Sequence, residues 1–144
     1  MLIIGEWSLD PDGVERPVIR GEVLTAEGDW EPVTFLVDVG ADRTVFHAGF
    51  VELLGLEPLD DGERISGVGG IAQTIRVATQ IRLIRSDDIP VPINGPFGIF
   101  TDPLAADCSL LGRDVLNHFA LIADHPNKVL WLLHGRHSYT IQES

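Results

Sequence analysis

The sequence predicts a mainly β fold with one or two short helices, its strands closed or strongly bent into a barrel. Three observations carry that expectation. Short runs rich in β-branched residues are cut at close intervals by Gly, Pro and Asp. Along residues 74–83, Ile75, Val77, Ile81 and Leu83 alternate with Arg76, Gln80 and Arg82, the period of a strand with one buried face. Only two stretches, 46–54 and 113–119, space their apolar residues as a helix does.

In chain order, residues 17–24 (PVIRGEVL) and 32–39 (PVTFLVDV) are the first two strands, and 26–29 (AEGD) is the hairpin turn between them. Phe46, Phe50, Val51, Leu53 and Leu54 then recur at helical spacing, with Gly55 as the stop signal. Residues 64–68 and 71–75 flank Gly69-Gly70, a pair suited to closing a hairpin, and 74–83 is read as one strand. Pro90, Pro92 and Pro96 leave room only for broken or edge strands over 89–100. A short apolar run at 109–112 leads into the second helix, where Val115, Leu116 and Phe119 share a face. Two more strands, 119–123 and 129–133, are joined by the turn 125–128 (HPNK), and 139–142 offers a last strand. No repeat or linker-like tract interrupts the chain, so one domain spanning 1–144 is expected.

The formal charge is −12, from 22 acidic and 10 basic residues. A field of that sign repels phosphate backbones and anionic lipid, so neither nucleic acid nor membrane is an expected partner. Cys108 is the one cysteine, which excludes an intramolecular disulfide and suits a reducing compartment. The opening MLIIG has no basic segment and is too short for a signal peptide, so a cytoplasmic location is expected.

The chemistry centres on residues 35–46 (FLVDVGADRTVF). An apolar strand ends in Asp38, a residue disfavoured inside strands. A carboxylate at the end of a buried strand is costly unless it is paired or in use. Gly40 lets the backbone turn back and aims that carboxylate outward. Bare Asp-x-Gly is a weak signal, because it also describes an ordinary turn after a strand.

With Leu36, Val37, Ala41, Asp42, Thr44 and Val45 in register, the run resembles the active-site signature of the retropepsin family of aspartic proteases. That signature is an apolar strand, Asp-Thr/Ser-Gly-Ala, a short polar stretch and Thr-Val. Downstream, residues 65–70 (ISGVGG) are similar to the glycine-rich flap tip of retroviral proteases. Leu110-Leu111-Gly112-Arg113-Asp114 is similar to the family's second signature, which opens its C-terminal helix. The three motifs stand in the family's order and span roughly the middle three-fifths of the chain.

The resemblance implies a retropepsin-like closed β-barrel with a flap hairpin, hydrolysing peptide or protein substrates. Asp38 is then the catalytic residue, with Val39, Gly40 and Ala41 forming the active-site loop. Gly67, Val68, Gly69 and Gly70 form the flap that closes over substrate. Asp42 and Arg113, beside Gly112, match the family's buried ion pair that braces the site. The chain carries one Asp-x-Gly motif where two are needed, so a homodimer is implied, with both Asp38 side chains meeting on its axis. Two adjacent carboxylates cannot both ionise and share a proton. One activates a water and the other polarises the peptide carbonyl, so no metal or other cofactor is implied.

Val39 departs from the family, which has Thr or Ser there to hydrogen-bond across the dimer axis. Without that hydroxyl the alternative reading is a weak or inactive module that dimerises or binds peptide. Elsewhere, His47, His118, His125, His134 and His137 lack zinc-ligand spacing, and Asp60-Asp61 and Asp87-Asp88 form no calcium ladder. Cys108 reads as a small buried hydrophobe, and Trp7, Trp30 and Trp131 as packing at sheet edges.

Overall fold

The structure, a computed structural model, describes residues 2–60, 62–67 and 70–144. Thirteen strands and two short helices follow one another along it. The first strands are β1 (Leu2–Ile4), β2 (Glu6–Leu9), β3 (Glu15–Leu24), β4 (Trp30–Val37) and β5 (Val45–Phe46), followed by helix α1 (Phe50–Leu54). Then come β6 (Glu63–Gly67), β7 (Gly70–Val77), β8 (Gln80–Ile84), β9 (Pro90–Asn94), β10 (Phe97–Phe100) and β11 (Ser109–Leu111). Helix α2 (Arg113–Leu116), β12 (Phe119–Asp124) and β13 (Val129–His134) complete the fold.

A ten-stranded sheet runs in the order β6-β7-β10-β5-β11-β4-β3-β8-β9, with β2 paired to β3. A three-stranded sheet, β1-β13-β12, packs against it. The expected closed barrel is therefore corrected: among the described residues the large sheet has two ends, β6 and β9, that do not meet. Both sheets contribute to one core, which joins Ile3, Leu130 and Leu132 to Phe35, Phe46, Ile81 and Leu111. At its centre the wholly buried Phe46 ring packs on Phe35, Phe50 and Phe97, with centroids 5.6, 5.2 and 6.1 Å away.

The β3–β4 hairpin turns at residues 26–28, as expected from AEGD. The single strand expected over 74–83 is two strands. The chain bends at Ala78-Thr79, where the Thr79 hydroxyl donates to the Leu24 carbonyl at 2.7 Å. This bend sends β7 to the β10 side of the sheet and β8 to the β3 side. Proline confines β9 to the edge, as expected, but β10 lies inside the sheet, buried at all four residues. Its FGIF core follows Pro96 and contains no proline, so every backbone N–H is free to join the ladder.

The first helix begins at Phe50 rather than Phe46 and stops at Gly55, whose φ is 61°. Phe46 instead lies on β5, so its four-residue spacing from Phe50 reflects a shared core and not a shared helix. The second helix also ends early, and Phe119 opens β12. Residues 139–142 form no strand. No helix among the described residues is long and apolar enough to cross a membrane.

Candidate active site

Asp38 follows the last residue of β4, and its amide donates to the Leu111 carbonyl at 3.1 Å. That bond prolongs the parallel pairing of β4 with β11, in which Leu110 faces Leu36 and Leu111 faces Val37. The carboxylate is half-buried on a rigid support. Its Oδ1 accepts the Gly40 amide at 3.0 Å, and the Asp38 carbonyl accepts the Ala41 amide at 3.2 Å. Gly40 serves by its size: a Cβ there would lie 3.3 Å from Asp38 Oδ1. Its φ lies outside the left-handed region, so room and a bare N–H, not a special backbone angle, are what the turn takes from it. Val39 sits at the tip of this turn with 58% of its surface exposed.

The loop from Asp38 to Thr44 connects β4 to β5, yet these strands are not neighbours, because β11 lies between them. The loop therefore passes over the end of β11, where α2 begins. Arg113 and Asp114 donate their amides to the carbonyls of Ala41 and Asp42 at 2.9 and 3.2 Å. Gly112 is required at this crossing, since a Cβ on it would fall 2.4 Å from the Arg43 carbonyl carbon.

Beneath the loop is a fixed polar cluster. Thr44, wholly buried, donates its hydroxyl to Asp114 Oδ1 at 2.7 Å and its amide to the same oxygen at 2.9 Å. The same hydroxyl accepts the Gly112 amide at 3.0 Å, so both of its hydrogen-bonding roles are used. The expected Asp42–Arg113 ion pair forms, but it is not buried: the side chains are 79% and 48% exposed. This corrects the sequence reading. Water screens such a pair, and exposed ion pairs contribute about 0–1 kcal/mol. The brace is carried by Thr44 and Asp114, which lie 70 residues apart. Both stood in the signatures, but neither signature shows that they touch.

Strands β6 and β7 form the hairpin expected on either side of Gly69-Gly70, with Gly67 paired to Gly70. Gly70 is thus the first residue of the returning strand, while Val68 and Gly69 lie outside the described residues. The hairpin base is held by an Asp60–Arg76 ion pair, and the Thr74 hydroxyl donates to the Glu63 carbonyl at 3.0 Å. Arg43 of the Asp38 loop reaches Glu63 at 3.4 Å, linking that loop to the β6–β7 hairpin.

Among the described residues, no group of three His, Cys, Asp or Glu side chains is placed to share a metal ion. Cys108 is half-buried, and burial pushes its thiol up to about 11, which keeps it protonated and poorly nucleophilic. Two surface cavities, of about 250 and 150 Å³, include neither Asp38 nor strands β6 and β7 in their lining.

No family model matches this chain, and no curated protein matches it. Solved structures do. A retropepsin-like aspartic protease from Rickettsia conorii aligns over 92% of this chain and 90% of its own, at 19% identity and a TM-score of 0.59. The EIAV protease in complex with an inhibitor aligns over 71% and 86%, at 23% identity and a TM-score of 0.49. The retroviral protease-like domain of Ddi1 from Leishmania major aligns over 81% and 94%, at 18% identity and a TM-score of 0.46. The chain has the fold of the Rickettsia enzyme, a retropepsin-like aspartic protease.

Proposed function

We propose that this chain is a single-domain subunit, residues 1–144, of a homodimeric aspartic endopeptidase of the cytoplasm, with Asp38 as its catalytic residue. One observation carries the reading. A half-buried carboxylate ends a core strand, on a loop locked from below by Thr44, Gly112 and Asp114, in the fold of a retropepsin-like protease. Locking of this kind is what a reacting group needs, since loose positioning costs rate.

In the dimer the two Asp38 carboxylates share one proton. The ionised member takes a proton from water as it attacks the peptide carbonyl, and the protonated member donates to the carbonyl oxygen. The proton held by the first then passes to the leaving amine as the C–N bond breaks, and a hydroxyl of the diol returns its proton to the second as the carbonyl re-forms. The β6–β7 hairpin closes over an extended peptide and excludes bulk water.

A second reading is favoured by Val39. An exposed apolar side chain at the loop tip cannot supply a hydroxyl hydrogen bond to a partner loop. On that reading the domain dimerises or binds peptide without cutting it.

Peptide-library cleavage from about pH 3 to 7 separates the two. The protease reading expects a bell-shaped profile that vanishes in Asp38→Ala and is preserved or raised in Val39→Thr. Activity appearing only in Val39→Thr means a disabled site on an intact scaffold. Silence from all three proteins, in samples shown to be dimeric, selects the binding module.

A further inference from the structure

Thr34 and Leu36 lie on the face of β4 opposite the core residues Val33 and Phe35, and the alternation leads on to Asp38. A cavity of about 150 Å³ opens on this face. Val18, Thr34 and Leu36 give it a partly apolar floor, and Asp10, Arg16 and Asp107 supply charge. Leu36 stands one same-face repeat before Asp38, roughly 7 Å along the chain. An extended peptide lying alongside β4 would have the same repeat and would set a side chain near the bond under attack over this cavity.

The charges in this cavity do not balance. Arg16 Nε lies 2.8 Å from Asp10 Oδ2, and Asp10 Oδ1 is already occupied by the amides of Asp12 and Val14, both at 2.9 Å. Asp107 reaches Arg16 only at 3.6 Å and is 78% exposed. Two carboxylates against one guanidinium leave one negative charge, concentrated on Asp107. Cys108, also in the lining, adds none, because its thiol stays protonated.

We propose that this cavity receives a lysine or arginine side chain of the substrate, so that Asp107 selects basic peptides. The inference rests on the protease reading above. A space of about 150 Å³ holds a group the size of benzene, enough for one long side chain. Lys and Arg lay their aliphatic stems on apolar surface and turn the cation to water, which matches a floor of Val18 and Leu36 beneath an acidic rim. An acidic side chain would meet uncompensated negative charge. The net charge of −12 favours encounter with basic peptides in the same sense.

The test uses matched peptides that differ only at one residue flanking the scissile bond, carrying Lys, Arg, Leu or Glu. Expected kcat/KM is about fivefold to tenfold higher for Lys and Arg than for Leu, with Glu lowest. Asp107→Asn should flatten that order and Asp107→Lys should reverse it toward Glu. A ranking unchanged by both substitutions, or led by Leu in the native protein, overturns the proposal. If no peptide is cut, fluorescence polarisation of the same peptides with Asp38→Asn separates the two failures. A Lys preference that disappears in Asp38→Asn/Asp107→Lys keeps the subsite while the protease reading falls. Equal binding of all four peptides rejects the subsite.

Discussion

The Thr44 hydroxyl donates to Asp114 across 2.7 Å while accepting the Gly112 amide, so one buried oxygen ties both ends of the crossing beneath the Asp38 loop. Thr44→Val removes that oxygen and leaves the Gly112 N–H without its acceptor. A buried group orphaned in this way costs about 1–3 kcal/mol. Arg113→Ala, by contrast, breaks an exposed pair and should cost no more than about 1 kcal/mol. Urea unfolding of both variants checks the order. A larger loss in Arg113→Ala would return the bracing role to the ion pair.

Phe46 is wholly buried among Phe35, Phe50 and Phe97. Phe46→Ala should destabilise by about 3–5 kcal/mol, through lost transfer energy and the cavity left behind. Phe46→Leu keeps most of the volume and should cost less than half as much. Thermal melts followed by near-UV circular dichroism read both.

Acid should loosen the fold as its hydrogen-bonded carboxylates lose their charge. Hydrogen bonding to Lys128 holds Glu15 below its ordinary value, Arg76 does the same for Asp60, and Asn127 for Asp124. A depressed folded-state pKa stabilises fully above the unfolded value, near 4, and that contribution is lost as pH falls through the folded value. Stability should therefore decline below about pH 4.5. Asp60→Asn should lower the urea midpoint more at neutral pH than at about pH 2. Equal effects at both would show that the carboxylate's charge is not the cause.

Cys108 should react slowly. With its thiol pushed up to about 11, the thiolate fraction at pH 8 is on the order of a hundredfold below that of a free cysteine. Alkylation followed by mass spectrometry should show a corresponding lag, abolished in urea.

Much of this was legible in the sequence, for identifiable reasons. Asp38 and Gly40 shape a turn within their own stretch of chain, and such local demands leave a residue-by-residue trace. The space that Gly112 keeps open is set by distant Arg43 and was readable only through the family motif. The alternation of Val77, Ile81 and Leu83 was read correctly as burial, yet it runs straight through the bend at Ala78-Thr79. Periodicity records which side chains face the core and is blind to a change of strand partner. Phe46 shows the same ambiguity between i,i+4 spacing and a common core. The exposure of Asp42 and Arg113, and the meeting of Thr44 with Asp114, depend on elements about 70 residues apart and leave no local pattern.

The position of β11 between β4 and β5 has a temporal consequence. On a ribosome, the strand bearing Asp38 emerges long before Ser109–Leu111, the segment that must slot in beside it. Pairings this distant in the chain are slow to close and wait for late-synthesised residues. Until then the nascent polypeptide has Asp38 on a loop with nothing to cross. The loop around Asp38 thus gains its support only once Ser109–Leu111 has been made and has paired beside β4.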